Sequence, residues 1–222
     1  MNSLRHVAII MDGNRRWATL QNVSVQSGHK KGAEALMNFC KYFQHCNIPY
    51  LTVYAFSSEN NHRSNEEKNN LFSILEDYLN NSIQKLQKEK IKVQFIGDFS
   101  IFSQQIQERI AKIHSSEIPD YRFILNIALN YGGKQEICHA FNRIKKETIT
   151  EQDITMNLYQ PNTPDVNLLI RTGGMQRLSN FLIWQTTYAE LYFSKYLWPD
   201  FNEEEFQKAL EFYKMQQRNF GS

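Results

Sequence analysis

Apolar positions fall into two rhythms along the chain. Val7-Ala8-Ile9-Ile10-Met11 is an unbroken apolar run that predicts a buried parallel strand, and the mainly apolar segments Leu51 to Phe56, Val93 to Ile96, Phe123 to Ala128 and Val166 to Ile170 predict four more strands. Leu191 to Phe193 predicts a short sixth strand. Between these runs apolar residues recur three and four apart, the spacing of one helix face. Such faces are Leu36, Phe39, Cys40 and Phe43; Phe102, Ile106, Ile110 and Ile113; Ile137, Ala140, Phe141 and Ile144; and Phe206, Ala209, Leu210 and Tyr213. Ser64-x-x-Glu67 reads as a capping box opening a long helix over roughly 66–88, with Leu71, Leu75, Tyr78, Leu79 and Leu86 inward.

Strand and helix alternate with connections long enough for right-handed crossovers. The expected fold is therefore α/β: a mostly parallel central sheet of about six strands flanked by helices. No Pro/Gly/Ser-rich linker interrupts residues 1–222, so a single domain is expected over the whole chain. In open parallel sheets ligands sit beyond the carboxyl ends of the strands, which directs attention to the residues that follow each strand.

Composition narrows the function classes. The 222 residues are 41% apolar and carry a net charge of +2, which gives no global case for a nucleic-acid partner. Any anion site must come from a local cluster. Cys40, Cys46 and Cys138 show no metal-ligand spacing and are expected as small core residues in a reducing compartment. No apolar run reaches transmembrane length, and Met1 to His6 leads straight into a strand pattern without a signal peptide, so a cytoplasmic protein is expected.

Such a cluster follows the first strand. Asp12-Gly13-Asn14-Arg15-Arg16-Trp17 offers a carboxylate for Mg²⁺ beside phosphates, a glycine turn with free N–H groups, and two guanidinium groups. A plain polar turn is the alternative. After the second strand come Ser57-Ser58-Glu59-Asn60 and then Arg63, either ligand-facing or a cap for the next helix. Asn130 to Gly133 reads as a turn. After the fifth strand, Arg171 ends an apolar run, and Arg177 and Ser179 follow a diglycine turn. This trio can grip a diphosphate by charge-assisted hydrogen bonds. Two anion-binding strand tips, one of them acidic, suggest two phosphorylated substrates and a divalent metal.

Five stretches together resemble the signatures of the cis-prenyltransferase family, its undecaprenyl diphosphate synthases in particular. They are residues 6–18, Gly28-His29-x-x-Gly32, residues 55–60, Asn126 to Gly133, and Arg171 through Phe201 with its Trp198-Pro199-Asp200-Phe201 ending. The resemblance spans nearly the whole chain in the family's order. It implies repeated cis addition of isopentenyl diphosphate to an allylic diphosphate, usually farnesyl diphosphate, to make a lipid carrier for cell-wall glycans. By that resemblance Asp12 binds Mg²⁺, and Asp12 and Asn60 are catalytic. Gly13, Asn14, Arg15, Arg16, Trp17 and His29 hold the allylic substrate, Asn14 and His29 at positions tied to catalysis. Arg171, Arg177 and Ser179 hold isopentenyl diphosphate. Ser57, Ser58, Glu59, Asn60, Arg63 and Glu67 belong to a closing loop, and Glu190 completes the metal site across a homodimer interface. An apolar tunnel for the growing chain is implied, with the helix over 66–88 and strands two to four able to line it; ordinary core is the alternative for most of those aliphatics. Transient contact with a membrane surface is implied for the lipid product.

Some positions depart from the family pattern. Met175 follows the diglycine where glutamate is common, Val25 replaces an arginine, Asn61 a tryptophan and Ser64 a proline. Two rival readings stand beside the enzyme. A non-catalytic partner subunit would be expected to lose the aspartate and asparagine after the first strand, and both are kept. A nucleotide-dependent phosphotransferase would carry G-x-x-x-x-G-K-[ST], which is absent.

Overall fold

A computed structural model describes residues 4–59 and 72–216. Six parallel strands form one sheet: β1 (His6–Ile10), β2 (Tyr50–Tyr54), β3 (Ile91–Ile96), β4 (Phe123–Ala128), β5 (Leu168–Arg171) and β6 (Glu190–Phe193). Their order is β3-β4-β2-β1-β5-β6, and every pairing is parallel. The chain leaves β1 toward β2 and returns later on the other side as β5. The order therefore reverses between β1 and β5, and a crevice opens at their carboxyl ends.

Helices cover both faces, which explains why the strands are mainly apolar. They are α1 (Asn14–Leu20), α2 (Val25–Phe43), α3 (described over 72–88), α4 (Gln104–His114), α5 (Gly133–Arg143), α6 (Glu151–Thr155) and α7 (Glu203–Met215). Val7 and Ile9 of β1 join one core with Phe39, Phe43, Leu51, Val53, Leu125 and Phe206. Ala8 and Ile10 point the other way, into a second core with Tyr54, Tyr131, Leu169 and Phe181.

Four local features differ from the sequence pattern. α1 replaces the expected turn after β1, because Gly13 at φ 122° bends the chain directly into helix. α3 contains a π-helical turn at Tyr78–Ser82, which apolar spacing does not reveal. α5 turns Glu136 inward and leaves Phe141 56% exposed; three hydrogen bonds to the Glu136 carboxylate fix that rotation. Cys138, expected in the core, lies exposed on the same helix, while Cys40 is buried and Cys46 half-buried. The capping box at Ser64 and Glu67 falls outside the described residues. Trp198 is core, its Nε1 donating to Gly32 O at 2.8 Å.

Candidate active site

Ile10 and Arg171 are register partners at the ends of β1 and β5, so Asp12 and Arg171 meet in the crevice between the strands. Arg171 Nη2 donates to Asp12 Oδ2 at 2.9 Å, and Arg16 Nη2 to Asp12 Oδ1 at 3.2 Å. Arg171 is 4% exposed, an uncommon place for a guanidinium without an ionic partner. Its Nη1 donates to Ser179 Oγ at 2.7 Å and to Arg177 O at 2.5 Å, and its buried Nε has no protein partner. The Asp12 backbone is pinned as well: its carbonyl accepts from Thr172 Oγ1 at 2.7 Å and from Trp198 N at 3.0 Å. Arg16 Nη1 donates to Gly173 O at 2.7 Å, and a Cβ on Gly173 would lie 2.3 Å from Arg16 Nη2. Glycine there lets the guanidinium lie flat on the backbone. Gly13 supplies no side-chain cap to the start of α1 at the same edge.

A second set of contacts ties three loops together through Asn180. Its carbonyl accepts from Gly133 N at 2.7 Å, its Oδ1 from Lys134 N at 2.9 Å, and its Nδ2 donates to Glu59 Oε1 at 3.3 Å. Ser179, Asn180 and Leu182 all have positive φ, 49°, 61° and 46°, a conformation that costs free energy for residues with a side chain. Beneath this loop Tyr54 stacks on Phe181 at 4.4 Å and donates to Tyr131 O at 2.9 Å. Tyr131 OH and Gln185 Nε2 donate to Glu136 Oε2, and Tyr159 N donates to Glu136 Oε1 at 3.0 Å. Burial pushes the Tyr54 phenol up to about 12 and the Tyr131 phenol well above its ordinary value, so both stay neutral donors.

Beside the crevice lies an apolar cavity of about 120 Å³ between the sheet, α2 and α3. Asn14 and His29 stand in its wall with Leu36, Phe56, Ile127 and Trp198. Asn14 Oδ1 is buried without a hydrogen bond. A Cβ on Gly32 would lie 2.4 Å from that oxygen, so glycine on α2 makes room for the amide.

Of the residues singled out from sequence, Asp12, Gly13, Arg16, Arg171, Ser179 and the Arg177 backbone converge on the crevice, with the Arg177 side chain exposed. Asn14 and His29 face the cavity instead. Arg15 is exposed on α1, and Trp17 Nε1 donates to Asp200 Oδ1 at 2.9 Å. Ser58 N donates to Tyr131 O at 3.0 Å and Ser57 Oγ accepts from Glu59 N at 3.2 Å, which shapes the loop after β2. Asn60, Arg63 and Glu67 lie outside the described residues.

Glu190 sits elsewhere. It pairs with Leu168, whereas Phe193 pairs with Arg171. Three strand residues, about 10 Å, separate Glu190 from the edge that carries Asp12, so one chain does not bring the two carboxylates together. Sequence reading passed over Thr172, Asn180 and Glu136. The first two stand inside the R-T-G-G and S-N-F segments, but nothing local shows that they lock Asp12 and the neighbouring loops.

Among the described residues no group of three or more His, Cys, Asp and Glu could hold a metal ion. A lone Asp12 still fits Mg²⁺, which commonly takes one or two carboxylates, several waters and substrate phosphates. Each Asp12 oxygen accepts one guanidinium bond and keeps a further lone pair.

Comparison with known proteins extends the picture. Residues 10–221 match the family model described as "Putative undecaprenyl diphosphate synthase". An isoprenyl transferase of Rickettsia typhi is 42% identical over 100% of this chain and 99% of its own. A Haemophilus influenzae protein named ditrans,polycis-undecaprenyl-diphosphate synthase ((2E,6E)-farnesyl-diphosphate specific) is 44% identical over 99% of this chain and 96% of its own. Among solved structures, lavandulyl diphosphate synthase from Lavandula x intermedia, in complex with dimethylallyl diphosphate, superposes with a TM-score of 0.91 at 33% identity, covering 98% of both chains. A probable undecaprenyl diphosphate synthase from Campylobacter jejuni gives 0.85 at 32% identity over 100% of both.

Proposed function

Since the chain belongs to the undecaprenyl diphosphate synthase family and is a prenyltransferase, we propose that it adds isopentenyl diphosphate units to an allylic diphosphate such as farnesyl diphosphate, with Mg²⁺, to give a long cis-polyprenyl diphosphate that carries cell-wall glycans. One observation carries this reading: Asp12, Arg16 and Arg171 meet in the β1/β5 crevice beside an apolar cavity walled by Asn14 and His29. A charged head and an oily tail need those two surroundings side by side. The farnesyl specificity in the name of the Haemophilus influenzae relative supports the choice of starter.

In this reading Gly13, Asn14, Arg15, Arg16, Trp17 and His29 hold the allylic substrate. Arg171, Arg177 and Ser179 hold the diphosphate of the isopentenyl unit. The allylic C–O bond breaks and its electron pair leaves with the diphosphate. Guanidinium groups aimed at those oxygens stabilise the charge that develops there. Mg²⁺ bound by Asp12, with Glu190 of a second copy, would add further neutralisation of the leaving diphosphate. The π-bond of the isopentenyl unit attacks the allylic carbon, and loss of a proton forms the new double bond. Two fixed diphosphate sites hold the reacting carbons close. Ser57, Ser58, Glu59, Asn60 and Arg63 close over the pair and exclude water, which would otherwise capture the cation.

Residues 1–222 act as one catalytic domain in this proposal, as a homodimer in the cytoplasm, with brief membrane contact at product release. No helix among the described residues is long and apolar enough to cross a membrane. The test is incubation of the pure protein with farnesyl diphosphate, radiolabelled isopentenyl diphosphate and Mg²⁺. Label in a butanol-extractable lipid, lost on chelation, is expected; label that stays water-soluble overturns the proposal.

A further inference from the structure

The loop after β5 is held in a costly shape. Ser179 and Asn180 are both left-handed, φ 49° and 61°, and residues with a side chain stay in that region only where their surroundings fix them there. The shape has a use. It brings Ser179 Oγ to 2.7 Å from Arg171 Nη1, and the same nitrogen donates to Arg177 O at 2.5 Å. Residues 177–179 therefore set the plane of a buried guanidinium whose other nitrogen, Nη2, holds Asp12.

Asn180 fixes the loop by capping a helix from outside it. Gly132, at the start of α5, has no side chain to cap with, and the first N–H groups of a helix need acceptors from elsewhere. Gly133 N donates to the Asn180 carbonyl at 2.7 Å, and Lys134 N to Asn180 Oδ1 at 2.9 Å. The other end of the amide, Nδ2, donates to Glu59 Oε1 at 3.3 Å. Asparagine suits the place, because its short polar side chain tolerates left-handed backbone. The fit is close: a Cβ on Gly132 would lie 2.8 Å from Asn180 Nδ2. All three bonds run to the segments after β4 and β2. The tip of β1 is held by separate bonds, from Thr172 Oγ1 and Trp198 N to the Asp12 carbonyl.

We propose that Asn180 is a positioning residue for the isopentenyl diphosphate half of the site: it docks the 177–180 loop on the start of α5, and so keeps Ser179 and Arg171 in the arrangement that receives that diphosphate. The inference rests on the prenyl-elongation reading above. Without the amide the loop relaxes out of its left-handed shape, Ser179 Oγ leaves Arg171, and the second substrate binds less well. The allylic half, built on the tip of β1 and on α1, keeps its own supports.

The experiment measures KM for farnesyl diphosphate and for labelled isopentenyl diphosphate separately, each with the other saturating. Asn180→Gly removes the amide without straining a positive φ. It should raise KM for isopentenyl diphosphate about tenfold and leave KM for farnesyl diphosphate within about twofold of the parent's. Gly132→Ala presses on Asn180 from α5 and should give the same split, which keeps the test open should Asn180→Gly fail to fold. A split in either variant, with circular dichroism like the parent's, supports the assignment. Equal rises in both constants, as general loosening would give, overturn it. So does a parent-like KM for isopentenyl diphosphate in folded Asn180→Gly, or in Gly132→Ala where the first variant does not fold. A parent chain that incorporates no label overturns the elongation reading and this inference with it.

Discussion

The two faces of the sheet are built on different principles. The face under α2, α3, α4 and α7 is almost wholly hydrocarbon, with Phe39, Phe43, Phe123 and Phe206 in edge-to-face or tilted contact, and it encloses a void. The opposite face is laced with hydrogen bonds. There His6 Nδ1 donates to Pro164 O at 2.7 Å, His6 Nε2 accepts from Thr52 Oγ1 at 2.7 Å, and Asn126 Nδ2 donates to Thr52 Oγ1 at 3.2 Å. The Tyr54, Tyr131 and Glu136 contacts continue that network to the loop that carries Ser179 and Asn180. Directional bonds hold one arrangement, while an apolar wall tolerates a guest of changing length. Under the proposed function the contrast divides labour: one face fixes the charged heads and the other leaves room for the tail.

The largest effect should appear at the edge the two faces share. Asp12→Asn keeps an acceptor for buried Arg171 but removes the charge, and turnover should fall roughly a thousandfold, about 4 kcal/mol. Unchanged circular dichroism with near-normal turnover would take Asp12 out of the mechanism. Next comes the hydrogen-bonded face. Burial lowers the His6 pKa from 6.5 to about 4, so the unfolded chain takes up this proton first. The contribution is whole above pH 6.5 and is lost as pH falls toward 4, a change of about 3 kcal/mol. Urea titrations at pH 7 and pH 5 should show about 2 kcal/mol of that loss, and a His6→Leu variant should flatten it; equal slopes in the two proteins would break the contrast between the faces. Arg177→Ala should weaken isopentenyl diphosphate binding by about 1.5–3 kcal/mol, read as a raised KM. A KM equal to the parent's would sink that assignment. The smallest effect belongs to the apolar face. Tyr78→Phe removes a hydroxyl that has no partner and should be neutral or stabilising by about 1 kcal/mol in the same titration. A clear loss of stability would mean that the apolar face, too, depends on polar contacts.

Strands were the most legible feature of the sequence, because burial on both sides makes each mainly apolar; Phe123 to Ala128 matches β4 residue for residue. The crevice was legible at Asp12 and Arg171, since a charge at the end of an apolar strand is conspicuous. α1 was not, because a seven-residue helix that opens Asn-Arg-Arg carries almost no apolar period. Glu136 was passed over for a related reason. Spacing favoured Phe141 as the buried residue of α5, but hydrogen bonds from Tyr131, Gln185 and the Tyr159 backbone draw the carboxylate in, and those partners are distant in sequence. Asn180 acts partly through its own carbonyl at positive φ, and side-chain chemistry does not advertise that.

The position of β1 in the middle of the sheet has a consequence for biosynthesis. It is the first strand made, yet one of its two partners, β5, begins only at Leu168. At about 5–20 residues per second, roughly 10–30 s of translation separate them. Throughout that interval the nascent chain carries a bare hydrophobic margin beside the ribosome, one a chaperone can shield until the late segment arrives.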